Sequence, residues 1–358
     1  MKTTIIAEVG VNHNGSLDKA LQLVDAAADS GADIVKFQTF KAESLASKEA
    51  NKAEYQKKTT DASESQLSML KKLELDYKSH FKLLDHCKKR GIQFLSTAFD
   101  IESLEFLINE LDLKLLKISS GDLTNAPLIL SHAISRSEII LSTGMSDLNE
   151  IEDALSVIAF GLLSDRSRVR PSLKAFREAY LSSEGRELLK NKVTLLHCTT
   201  EYPAPLSDIN LIAMQTMRDR FNLDVGYSDH SEGLLVPIAA VASGASIIEK
   251  HLTLDKNDIG PDHQASIEPK ELKEMVDSIR DIEVIMGQGL KVPQKSELKN
   301  IQIARKSLVA KTSIKAGENF SSFNLTTKRP ATGKSPLHYW DLLDKKSNKD
   351  YEADEVIK

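Results

Sequence analysis

Eight short apolar runs in this chain each end in side chains that can do chemistry. The first runs into Glu8 and Asn12-His13-Asn14-Gly15, and the second carries Lys36, Gln38 and Thr39. The next three give Ser96-Thr97, Lys117 with Ser119-Ser120-Gly121-Asp122, and Ser142-Thr143-Gly144. The last three end in His197 through Tyr202, in Ser228-Asp229-His230 and in Glu249-Lys250-His251. Any one such cluster is explicable as a satisfied core group. Eight in the same relative position are not, because an unpaired polar group costs kilocalories to bury.

The clusters sort by chemistry. Lys36 and Lys117, with hydroxyls from Thr97, Ser119, Ser120, Ser142 and Thr143, predict a cationic, donor-rich lining for a phosphate or carboxylate. Taken alone, either lysine is equally explicable as an ion-pair partner. His230 and His251 close adjacent runs, so two imidazoles could converge on a divalent ion, with water or substrate oxygens completing its shell. Glu8 and Glu249 are candidates for general acid and base. No spacing rule places His13 or His197 among metal ligands.

Something must hold these groups on one face. The runs are Thr4–Val9, Ile34–Phe37, Phe94–Ser96, Leu115–Ile118, Ile139–Leu141, Val193–Leu196, Asp224–Tyr227 and Ser246–Glu249. They are apolar on both sides and rich in Ile, Val and Leu, as buried parallel strands are. Amphipathic segments separate them. Residues 76–90 place Tyr77, Phe81, Leu84 and Cys87 at helical spacing, with Gly91 as a stop. Residues 147–160 place Leu148, Ile151, Leu155 and Ile158 on one stripe behind an Asp147/Glu150 capping pair. Eight strands each followed by a helix predict an α/β fold, a (β/α)8 TIM barrel whose site gathers at the carboxyl ends of the strands. A doubly wound sheet is the alternative, but no GxGxxG follows the first strand.

Two stretches break the rhythm, a lysine-rich excursion at 41–75 and a second at 161–191. Connections this long serve as lids or as solvated helical surface. The predicted boundaries are a barrel at 1–286, a polar linker at 287–300 and a small β-rich domain at 301–358. The 358 residues and net charge of −5 fit about two ordinary globular domains, and the absence of a basic footprint argues against nucleic acid. Two cysteines, Cys87 and Cys198, are too few for a disulfide framework and suggest a reducing, cytoplasmic setting. No apolar run approaches the length of a membrane span, and the N-terminal run is too short for a signal peptide.

In order, Glu8-Val9-Gly10-Val11-Asn12-His13-Asn14-Gly15, Lys36-Phe37-Gln38-Thr39, Lys117-Ile118-Ser119-Ser120-Gly121, His197-Cys198-Thr199-Thr200-Glu201-Tyr202-Pro203, Ser228-Asp229-His230, Glu249-Lys250-His251 and Gly260-Pro261-Asp262-His263 strongly resemble the bacterial sialic acid synthase family. The resemblance spans essentially the whole chain, and the tail with Lys328-Arg329-Pro330 resembles that family's antifreeze-like (SAF) domain. It implies condensation of phosphoenolpyruvate with an open-chain N-acetylmannosamine-type sugar and water, giving N-acetylneuraminate or a relative, and phosphate. Legionaminic or pseudaminic acid synthesis from a 2,4-diacetamido-trideoxyhexose is the alternative by the same chemistry. Lys36, Thr97, Lys117, Ser120 and Ser142 would hold phosphoenolpyruvate, and His230 and His251 would hold Mn²⁺ or Mg²⁺. Glu8 would manage a proton at C2. Gln38, Asp122, Thr200, Tyr202 and Asp262 would contact the sugar or its anionic partner. Arg329 would arrive from the partner subunit of a domain-swapped homodimer. Departures fall at Ala98 for a usual proline, Asp122 for a usual glutamate, Thr200, and Ala331-Thr332-Gly333 for Gly-Asn-Gly.

Three rival readings differ in their demands. A seven- or eight-carbon sugar-phosphate synthase would not need the tail. A Schiff-base aldolase would use Lys117 or Lys36 covalently. An ice-interacting binder would have no use for polar residues at every strand end.

Overall fold

The computed structural model describes residues 2–358 except 48, 62 and 164–168, with the backbone alone at 54, 55 and 58. Two compact units divide the chain, Met1–Gly287 and Gln288–Lys358.

The first unit is a closed barrel of eight parallel strands in sequential order. They are β1 Thr4–Gly10, β2 Ile34–Thr39, β3 Gln93–Ala98, β4 Leu115–Ile118, β5 Glu138–Ser142, β6 Val193–Cys198, β7 Asp224–Asp229 and β8 Ile247–His251. β1 pairs with both β2 and β8, so closure leaves no exposed edge. Most strands run one or two residues past the apolar runs, because ladder hydrogen bonds continue into the polar ends.

Strand alternation decides what faces the barrel axis. Ile6, Ile34, Leu95, Ile140, Leu196 and Ile247, joined by Leu115, form a separate apolar layer within the barrel. Two residues further along each strand, the same parity delivers Glu8, Lys36, Thr97, Lys117, Ser142, Cys198 and Glu249. The opposite parity faces the helices. Thr39 Oγ1 meets His80 Nε2 at 2.9 Å and Ser96 Oγ at 2.7 Å. Lys250 Nζ donates to Asp229 at 2.6 Å, with both side chains fully buried. The Thr39–His80 contact fastens the barrel to helix Tyr77–Arg90, and the Lys250–Asp229 pair fastens β8 to β7.

The capping signals act as expected. Asp76 Oδ1 accepts from the Ser79 N–H at 2.8 Å, and Gly91 ends helix Tyr77–Arg90 in the left-handed region at φ 69°. Asp147 and Glu150 cap helix Leu148–Leu163 reciprocally at 3.0 and 2.9 Å. The buried line of Tyr77–Arg90 is His80, Leu83 and Cys87. Phe81 is instead 44% exposed, edge-on to Phe106, so the expected stripe is rotated by about one residue. Ile151, Leu155 and Ile158 are buried as expected, Leu148 of the same stripe is exposed, and from Ala154 to Leu162 every residue of the helix is buried. The cause is the second excursion: helices Leu173–Leu181 and Ser183–Lys192 pack over Leu148–Leu163, with Phe176 against Phe160. It thickens the outer layer.

The first excursion folds differently. Its helices Ala42–Leu45, Glu54–Thr59 and Gln66–Leu73 bring Ala42, Met69 and Leu73 into a cluster with Val11 and Phe40 from the loops after β1 and β2. Lys52 is buried within it, its Nζ donating to Thr60 Oγ1 at 3.0 Å and Asp61 O at 2.8 Å.

The second unit pairs β9 Ser307–Ala310 with β10 Leu325–Lys328 antiparallel. Leu308, Ala310, Ile314, Phe320, Leu325, Tyr351 and Ile357 form its small core. Residues 288–300, read as a linker, fall within this unit, and helix Leu298–Ala304 crosses the expected boundary. Among the described residues, no helix is long and apolar enough to cross a membrane.

Candidate active site

The carboxyl ends of the strands enclose a cavity of about 280 Å³. Of the residues expected at the site, Glu8, Lys36, Gln38, Thr97, Lys117, Ser120, Ser142, Thr200, Tyr202, His230, Glu249, His251 and Asp262 all line it. Two do not. Asp122 accepts from Ser119 Oγ at 2.7 Å and from Asn125 Nδ2 at 3.2 Å, so its carboxylate is tied into its own turn. Arg329 is exposed on the second unit, just after β10. His13 and His197 lie outside the lining. His13 Nδ1 accepts from the Gly15 N–H, and His197 Nε2 bonds Ile209 O at 2.8 Å.

The floor is an alternating charge cluster. Lys36 Nζ lies 2.7 Å from Glu8 Oε2 and 3.6 Å from Glu249 Oε1. Lys117 Nζ is 3.8 Å from Glu249 Oε1 and donates to Ser142 Oγ at 2.6 Å. The lining is thus less purely cationic than its lysines suggested, since each ammonium already faces a carboxyl. The two glutamates are not equivalent. Burial pushes the Glu8 carboxyl up to about 7, against the opposing field of Lys36 and with help from Glu249. Burial would raise Glu249 too, but Lys117 and Lys36 together hold it below the usual carboxylate range. Such a split assigns roles: Glu249 stays ionised, whereas Glu8 can take or give a proton near neutral pH. Burial also raises Asp262, to about 6, and lowers Lys117.

Two imidazoles stand on one side. The His230 and His251 rings are 5.6 Å apart, and burial holds both below the usual histidine range. His230 Nδ1 is 2.7 Å from Thr199 O, which can only accept, so Nδ1 carries the proton. Its Nε2 keeps a lone pair, 3.1 Å from the Tyr202 hydroxyl. His251 Nδ1 is buried without a hydrogen-bond partner, and Asp262 Oδ2 lies 3.9 Å away. Neutral imidazoles with a lone pair and an orphaned buried nitrogen fit a divalent ion as a two-ligand set. Among the described residues, no group of three or more His, Cys, Asp or Glu side chains has metal-holding geometry.

Several lining residues carried no site signal in the sequence. Gln56, Met69, Leu70 and Leu73 come from the first excursion, and Val11, Phe99 and Met145 from loops after β1, β3 and β5. Gln56 reads as one more surface polar residue, and the apolar character of the rest offered nothing to distinguish them from core residues. Gly144 is required by space: a Cβ there would sit 2.2 Å from Thr200 Oγ1 and 2.9 Å from Cys198 Sγ.

The NeuB family model matches residues 23–291. The chain is 54% identical to the N,N'-diacetyllegionaminic acid synthase of Campylobacter jejuni, covering 100% of this chain and 99% of that one. It is 44% identical to the N,N'-diacetyllegionaminic acid synthase of Legionella pneumophila, over 96% and 90% of the two chains. In structure it is similar to the N-acetylneuraminic acid (sialic acid) synthetase of Leptospira borgpetersenii, with a TM-score of 0.68 and 35% identity over 84% and 90% of the chains. The strand-end motifs, the closed barrel and these relatives agree: the chain belongs to the NeuB family.

Proposed function

We propose that the chain condenses phosphoenolpyruvate with an open-chain N-acylated mannosamine-type sugar and water, giving a nine-carbon sugar acid and phosphate. The observation that carries this reading is the cavity floor, where Lys36 and Lys117 stand beside hydroxyls of Thr97, Ser120 and Ser142 and a carboxyl poised near neutral pH. The ammoniums and hydroxyls hold the phosphate and carboxylate of phosphoenolpyruvate. Its C3 forms a bond to the aldehyde carbon, and the cationic C2 takes up water. The former aldehyde oxygen is left as an alkoxide; Glu8 accepts one proton of that water and returns it to this oxygen. Cleavage of the C2–O bond releases phosphate, which carries off the remaining C2 hydroxyl proton as the ketone forms. Glu249 remains charged and keeps Lys36 and Lys117 in place. His230 and His251 would hold Mn²⁺ or Mg²⁺, which would supply Lewis-acid polarisation of the sugar carbonyl. Gln38, Thr200, Tyr202 and Asp262 would contact the substrates.

Two named sugars fit this scheme, N-acetylmannosamine and a 2,4-diacetamido-trideoxyhexose. The relatives at 54% and 44% identity favour the second. Arg329 would complete the site from the partner of a domain-swapped homodimer, and the free cysteines Cys87 and Cys198 fit a cytoplasmic setting. Phosphate release from phosphoenolpyruvate is the test. It should require an added sugar and fall when a chelator is present. Release that is independent of sugar, or none with either sugar, would overturn the reading.

A further inference from the structure

The cavity has a second surface unlike its floor. Val11, Met69, Leu70, Leu73 and Phe99 form an apolar wall above the charge cluster, and Met145, from the loop after β5, adds a further apolar side chain to the lining. Met69 and Leu73 pack with Val11 and Phe40, so the wall is held by its own small core. The excursion is also fastened at its edges. Ala42 N–H donates to Glu74 at 3.0 Å, and Thr59 Oγ1 reaches Pro261 O, in the loop after β8, at 3.5 Å. Met145 is 69% exposed and holds a left-handed backbone at φ 63°, a conformation that methionine adopts only under constraint.

We propose that this wall reads the sugar, receiving an edge on which deoxy carbons and acyl methyl groups replace hydroxyls. The inference rests on the condensation proposed above. A phosphate or carboxylate has no counter-charge on the wall, so the floor takes the anion and the wall is left for the sugar. A hydroxyl pressed against it loses water and gains no partner, whereas a methyl group gains burial. Gln56, whose Oε1 accepts from the Ala53 N–H at 3.0 Å, adds a polar group to the lining beside the wall. An apolar surface of this kind rejects an added hydroxyl by a factor on the order of 10 to 100.

The test compares kcat/KM for a 2,4-diacetamido-6-deoxy sugar and for N-acetylmannosamine in the full-length protein. Wild type should favour the deoxy sugar by about 10-fold or more. Leu70→Gln should cut that ratio by about 5- to 10-fold, Leu70→Met should retain it, and the KM for phosphoenolpyruvate should not follow the ratio. Should Leu70→Gln fail to fold by thermal unfolding, Met145→Gln carries the same test at an exposed position. A wild-type preference for N-acetylmannosamine, or an unchanged ratio in a folded glutamine variant, overturns the wall while leaving the condensation standing. Phosphate release with neither sugar overturns the condensation and the wall with it.

Discussion

Glu8→Gln removes the one carboxyl of the floor that burial holds near neutral pH, while keeping its size and its contact with Gln38. The folded protein raises Glu8 from 4.5 to about 7. Folding therefore takes up a proton at this site. Stability from Glu8 is greatest below its unfolded value near 4.5 and declines as pH rises to about 7, where the decline ends. A shift of that size corresponds to about 3 kcal/mol. Glutamine has no such proton. The stability of Glu8→Gln relative to wild type should then rise by about 3 kcal/mol between pH 4.5 and 7.5. Glu249, held below its ordinary value, titrates mostly below this pH window and adds little slope to it. Urea unfolding of chelator-treated protein at a series of pH values, followed by far-ultraviolet circular dichroism, measures it. Parallel stability curves for the two proteins would refute the assignment of the proton to Glu8. In the same variant kcat should fall by at least about 100-fold, as loss of a general acid or base does.

Four other outcomes follow from the geometry. Lys250→Met strands the fully buried Asp229 carboxylate and should cost about 3–5 kcal/mol in urea unfolding, and Lys250→Met with Asp229→Leu should recover much of it. Gly144→Ala drives a methyl group toward Thr200, Cys198 and Ser120, the last proposed to hold phosphoenolpyruvate, so the KM for phosphoenolpyruvate should rise at least about 10-fold, measured by phosphate release at saturating sugar. His251→Ala should abolish both turnover and the binding of Mn²⁺ measured by calorimetry, whereas full activity of that variant in chelator would remove the metal from the scheme. Mixing Arg329→Ala with Glu8→Gln should restore part of the activity that each lacks alone, because the swapped dimer proposed above would rebuild one intact site; no recovery after subunit exchange would place Arg329 elsewhere.

Most of the barrel was legible because its signals are local. Apolar runs, caps such as Asp76 and Asp147, and the stop at Gly91 act within a few residues of themselves. The floor was legible for a related reason. Glu8, Lys36, Thr97, Lys117, Ser142 and Glu249 share one strand parity, and a parallel barrel turns shared parity into a shared face. Thr39, Ser96, Asp229 and Lys250 sat in the same clusters but on the other parity, and the structure spends them on fastenings outside the cavity.

The sequence by itself determined the strand order, the residue types at the strand ends and so the class of chemistry. Three things waited for the tertiary structure. The separation of Glu8 from Glu249 depends on which carboxyl reaches both lysines, a matter of distances among residues up to 241 positions apart. The removal of Asp122 from the lining depends on hydrogen bonds within its own turn. The apolar wall depends on how the 41–75 excursion docks, and a leucine that will face a substrate reads the same as one that will face a core. Local propensity and periodicity set elements; burial, field and shape belong to groups brought together only when the barrel closes.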